Sequence, residues 1–166
     1  MHALKPITAA GIPAALLKAN RYRLLNDSAA AESICEDILA VEPRNTEAIV
    51  THVLAITDQF AASHGDSLAR AREAVHQLQD PYKNAYYNGI ICERWGKSLL
   101  QRQIPRAAEM AYDWIDQAMQ WFEKAEGTRP AGNDESILRW NSCVRLMHRN
   151  ERLRPAPAEA YEPSFE

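Results

Sequence analysis

The chain has 166 residues, enough for one domain that buries roughly two thirds of its unfolded surface. Charged residues make up 25% and hydrophobic ones 46%, the balance of a soluble globular protein, and a formal charge of -3 provides no global pull toward nucleic acid or anionic lipid. Residues 13–150 are dominated by Ala, Leu, Glu, Arg and Gln, which lose little side-chain freedom in a helix. No stretch alternates as a strand would, and no apolar run approaches the ~20 residues that cross a bilayer. The composition predicts an all-α fold without a membrane span. Cys35, Cys92 and Cys143 are far apart and include no C-x-x-C pair, which argues against a disulfide framework or a structural zinc site and predicts a reducing, cytoplasmic setting.

The first twelve residues read as an N-terminal extension. Its opening, "MHALKPITAAGIPAALLKA", carries one lysine and is interrupted by Pro6, Gly11 and Pro13, which makes a poor secretory signal. From there, Pro13, Asn26-Asp27-Ser28, Pro43, His64-Gly65-Asp66, Asp80-Pro81, Pro105 and Pro130–Asp134 separate helical patterns. These predict seven helices over 13–26, 28–41, 45–63, 66–79, 82–103, 105–126 and 134–150. Asp66 and Asp134 stand where an N-cap oxygen is wanted, and Pro43 and Pro105 suit a first turn. Residues 151–166, with "RPAPAEAYEPSFE", are expected to form a flexible tail rich in Pro and Glu, on which Tyr161 and Phe165 offer transient docking points.

The second predicted helix tests whether a cluster of reactive residue types carries chemistry. Ala31, Ile34, Cys35, Ile38 and Leu39 share one side of it, while Glu32, Glu36 and Asp37 lie opposite. The carboxylates then read as a solvated face. Cys35 reads as a small core residue whose pKa is not depressed, since no cationic residue is its neighbour in sequence.

The helices fall into pairs, 13–43, 45–81 and 82–126, followed by a single helix over 134–150. Ala19 and Tyr22 precede Ala31, Cys35, Ile38 and Pro43; Trp95, Gly96 and Leu99 precede Ala108, Tyr112 and Ile115 at matching intervals. Between them, Val53 and Ile56 precede Ala71, Val75 and Leu78, with a longer loop around Gly65. This pattern resembles the tetratricopeptide repeat, W-x2-L-G-x2-Y followed by A-x3-F and P. Ala19 and Gly96 take the small-residue place, Tyr22 the aromatic, Ala31, Ala71 and Ala108 the alanine, and Pro43 the terminal proline; Pro81 comes about two residues early. Ala15, Ile49 and Cys92 stand where the family has Trp, and Lys18, His52 and Trp95 where it has Leu.

The resemblance implies a right-handed superhelix of stacked antiparallel pairs whose first helices line a concave groove. The last helix would cap the stack, with Ile137, Trp140, Val144 and Met147 inward and Arg139, Ser142, Arg145 and Arg149 on the other face. By this register the groove receives Asn20 and Arg23 with Leu24, then Leu54 and Asp58, then Arg94, Lys97 and Gln101, then Arg139, Ser142 and Arg145. Its later part is basic, which suits an acidic peptide of another protein. Of the Lys-Asn-Asn-Lys-Arg set with which some family members grip a chaperone's C-terminal carboxylate, only Asn20 and Arg94 are present; Leu16, Thr51 and Ile90 take the other places. That particular activity is not implied.

Other chemistries find little to build on. No P-loop, G-x-S-x-G, H-E-x-x-H, EF-hand or G-x-G-x-x-G occurs, so neither catalytic residues nor a cofactor are expected. His52, His64 and His76 recur every twelve residues, which puts them on three segments and no shared helix face, and no metal site is expected. Tyr86, Ile90 and Trp95, with Tyr112, Ile115, Met119 and Phe122, read as core stripes. The sharper alternative is a small-ligand pocket, or an unrecognised enzyme, framed by Tyr87, Trp95, Trp114 and Trp140. Five arginines between Arg139 and Arg154 face one glutamate, yet "LRWNSCVRLMHRN" lacks the features of an RNA-binding sheet or a helix-turn-helix, which argues against nucleic acid. The leading expectation is a non-catalytic interaction module or scaffold that binds another protein in its groove. Self-association as a homodimer through exposed stripes on the end helices is a further alternative.

Overall fold

The computed structural model describes residues 2–62 and 66–156. Among them it contains a 3-10 turn, Ala9–Gly11, and seven α-helices with no strand: α1 (Ile12–Leu24), α2 (Ser28–Val41), α3 (Thr46–Asp58), α4 (Ser67–His76), α5 (Pro81–Leu100), α6 (Ala107–Glu126) and α7 (Glu135–Arg149). The all-α class is the one the composition predicts.

Helix starts follow local chemistry, though not always at the expected residues. Asp27, Asn45 and Asp80 cap α2, α3 and α5, accepting from the amides of Ala30, Ala48 and Lys83 at 3.2, 3.0 and 2.9 Å. Pro13 and Pro81 occupy first turns, where a missing N–H costs nothing. Pro43 instead lies in the turn before α3, because Asn45 already supplies the cap. Asp66 and Asp134 precede α4 and α7 without a side-chain capping bond; Asp134 is drawn to the guanidinium of Arg129. Pro105 stays outside α6, which begins only after Arg106 adopts a left-handed φ of 59°. Helix α3 stops at Asp58 rather than 63, and the chain turns so that Phe60 buries its ring edge-on to Trp95 at 5.1 Å. Helix α5 stops at Leu100, and Arg102 beyond it reaches back to the Phe60 carbonyl at 3.0 Å.

Each helix packs on the next, and α1 also touches α3, as α3 touches α5. Small residues make the close approaches. Ala19, Ala31, Ala48, Ala55 and Ala71 are fully buried in the first half. In the second half a side chain at Gly96 would press on the Ala111 carbonyl and Ile115, and one at Gly89 would strike the Phe122 ring. The buried alanine facing Gly96 is thus Ala111 and not Ala108, which is half-buried.

The largest core cluster runs from Tyr82 through Ile90, Ile115 and Phe122 to Cys143, and a second gathers Val53, Ile56, Phe60, Val75 and Ile91. Tyr87 and Trp95 pack against both and join them. On α7 the buried side overlaps the expected apolar stripe only in part, through Trp140 and Met147, which pack against the large core. Ser136 and Cys143 are fully buried, while Ile137, Trp140, Val144 and Met147 are only partly covered. Leu153, at the start of the expected tail, is 3% exposed and joins the large core. Tyr161 and Phe165, with Glu159, Glu162 and Glu166, lie outside the described residues.

Candidate functional site

The residues expected to line a groove come from α1, α3, α5 and α7, and the fold brings the central ones together. Asp58, at the last turn of α3, accepts from Arg23 Nε of α1 at 2.8 Å and from Arg94 Nη1 of α5 at 2.5 Å. Ser28 Oγ adds a longer bond to the same carboxylate at 3.4 Å. Arg94 Nη1 also donates to Thr57 Oγ1 at 2.7 Å and to the Leu54 carbonyl at 3.1 Å, stitching α5 to the end of α3. About two turns before Asp58 on α3, Thr51 donates to Asn20 of α1 at 3.4 Å.

A second carboxylate lies farther along the same face. Glu93 is 0% exposed, an extreme position for an ionisable side chain. Lys97, one turn on, pairs with its Oε1, and Arg139 Nη1 from α7 stands 3.6 Å from its Oε2. The Tyr86 hydroxyl also favours the charge on Arg139. The two clusters sense one another. Burial works against the charge of Arg94; Asp58 opposes that, while Arg23 and Arg139 add repulsion, and its pKa is held below the usual guanidinium value. For Arg139 burial acts in the same sense, but the Tyr86 hydroxyl and Glu93 outweigh it, and its pKa is raised. Tyr87 lies within reach of Arg23 and Arg139; burial nevertheless dominates, with Tyr86 and Glu135 adding to it, and pushes the phenol up to about 12.

Three arginines and one lysine therefore converge around two carboxylates. Of the remaining expected residues, Gln101, Ser142 and Arg145 join this network by no hydrogen bond or ion pair among the described residues. Leu54 contributes its carbonyl and packs its side chain on the large core, Gln101 is exposed past the end of α5, Ser142 is half-buried on α7 and Arg145 is exposed there. Glu93, Tyr86, Tyr87 and Thr57 were not legible as members. In sequence, Glu93 carries no signal of its own, Tyr86 reads as part of a core stripe, and Tyr87 as a wall of the alternative pocket.

The aromatic alternative fares differently. Trp95 and Trp114 meet edge-on at 6.3 Å, and their faces are covered by Arg102 at 4.7 Å and Arg72 at 5.0 Å. Those faces are filled by the protein's own cations. Cys35 is fully buried, and burial pushes its thiol up to about 12, although Arg23, distant in sequence, acts weakly in the opposite sense. Glu32, expected in water beside Glu36, is instead 9% exposed and paired with Arg70 of α4. His64 lies outside the described residues. No helix among the described residues is long and apolar enough to cross a membrane. Large apolar side chains are exposed on α1 and just past its end, at Leu17, Leu24 and Leu25, and on α7 at Leu138.

No family model, curated protein or solved structure matches the chain.

Proposed function

We propose that the chain is a tetratricopeptide-like interaction module whose α1, α3, α5 and α7 side receives an acidic segment of another protein. The observation that carries this reading is the convergence of Arg23, Arg94 and Arg139 from three helices on two carboxylates, with Lys97 beside them. The cations outnumber the anions in a chain whose overall charge is -3, so the surplus is local. Asp58 and Glu93 act as internal clamps. They hold the guanidiniums in place, so the donors left over on Arg23, Arg94 and Arg139 meet a partner's carboxylates with little ordering cost. Partly buried arginines also form stronger charge-assisted bonds than fully solvated ones. The contacts of α1 with α3 and of α3 with α5 support first helices that neighbour one another, as in that repeat family. A cytoplasmic setting goes with this reading, in keeping with three free, buried cysteines.

The test is fluorescence anisotropy with a library of labelled peptides rich in Asp and Glu, against basic peptides of equal length. Acidic peptides are expected to bind, with affinity falling as salt rises. Arg139→Gln, with its fold checked by circular dichroism, should weaken them at least ~10-fold, about 1.4 kcal/mol. Binding that is unchanged in this variant, or equal for basic peptides, would overturn the assignment.

A further inference from the structure

Away from that face, α2, α3 and α4 bring together residues of a different kind. Glu32 and Glu36 are one turn apart on α2, which directs both carboxylates to the same side. Helix α3 delivers His52 to them: one donor atom from each of the three lies within 4.8 Å of the other two. His52 Nε2 is shut off from solvent and has no hydrogen-bond partner among the described residues, although carboxylates stand next to the ring. An enclosed polar nitrogen without a partner costs free energy and calls for a ligand.

The surroundings suit a coordinated ion. Glu36 is exposed and, with His52, borders a cleft of about 310 Å3 whose walls also include Arg70 and Glu73 of α4. Glu32 is held from behind by Gln59, which donates to its Oε2 at 2.6 Å, the kind of outer support that orients a liganding carboxylate. Arg70 contacts its Oε1 and supplies the positive charge there. Its side chain is 41% exposed, long and free to swing into the cleft when another cation takes over that role.

We propose that Glu32, Glu36 and His52 form a binding site for a divalent transition-metal ion of the zinc class. One imidazole nitrogen with two carboxylate oxygens satisfies three positions of a tetrahedral ion and leaves the fourth facing the cleft, for water or Glu73. The nitrogen donor selects against magnesium and calcium, which prefer all-oxygen shells. The ion would tie α2 to α3, and it is independent of the peptide-binding reading because no residue is shared.

The experiment is calorimetric titration of the full chain with zinc chloride, beside magnesium chloride, on the parent, Glu36→Gln and His52→Asn. The expected result is one zinc per chain, a higher unfolding temperature at saturation, no response to magnesium, and at least ~10-fold weaker zinc binding in each variant. Glu36 is exposed and has no hydrogen-bond partner among the described residues, so Glu36→Gln keeps the fold and remains informative even where His52→Asn does not. Zinc that binds Glu36→Gln as tightly as the parent would place the ion on other histidines and overturn the proposal. So would a flat titration at roughly a tenfold excess of zinc.

Discussion

The two halves of the molecule pack helix pairs by different means. From α1 to α4 the helices are 10 to 14 residues long, their closest approaches are made by alanines, and the apolar contacts are divided among small clusters. Polar links between helices, Asp58 with Arg23 and Glu32 with Gln59 and Arg70, add to these. Helices α5 and α6 are each 20 residues long and approach at Gly89 and Gly96, around one large cluster rich in aromatic rings. A helical glycine costs about 1 kcal/mol relative to alanine. Here the missing Cβ admits the Phe122 ring, which is 1% exposed, and burying such a ring contributes about 1.5–3 kcal/mol. The lesson is that a small residue at a crossing has two uses. Alanine spaces short helices evenly, while glycine makes room for a large ring and so supports a long, well-filled pair.

The difference should first show in alkali. All three thiols are raised by burial: Cys35 and Cys143 to about 12, Cys92 to about 11. A raised folded value means that the contribution is complete below the ordinary thiol value of 9.0 and is lost as pH climbs toward 11 to 12. Each thiol then withdraws about 1.4 kcal/mol per pH unit. The second half holds two thiols and Tyr87, so hydrogen exchange between pH 9 and 11 should open α5–α7 before α1 and α2. Simultaneous opening would mean that the halves unfold as one unit. A smaller effect is expected from Gly89→Ala, which drives a Cβ into the Phe122 ring: a loss of about 1–3 kcal/mol by urea unfolding. An unchanged midpoint would show that the ring moves freely and that α5 and α6 are not tightly interlocked. Smallest is Asn45→Ala, which removes the α3 cap in the first half and should cost about 1 kcal/mol by the same measurement.

Much of the fold is legible in the chain because breakers act locally. Asp27-Ser28 and Asp80-Pro81 open α2 and α5 where they stand in the sequence. The register was less legible. Trp95-Gly96-Leu99 and Ala108 match the first pair by spacing, yet Gly96 meets Ala111, because the packing of α5 on α6 and not spacing along the chain decides which residues meet. Sequence reasoning placed Arg23, Asp58, Arg94 and Arg139 on one side, and the structure adds that Asp58 and Glu93 neutralise part of their charge. Glu32 and Glu36 were read as a solvated pair because nothing local reveals that Arg70 and His52 arrive opposite them.

The sequence by itself determined the class, the number of helices and most of their ends, since caps, prolines and apolar periodicity act over a few residues. Tertiary structure decided which charges meet. Residues 23, 58 and 94, or 32, 36 and 52, reach one another only through the rotation and offset of packed helices. A shift of one residue turns a side chain by about 100° and presents it to a different neighbour.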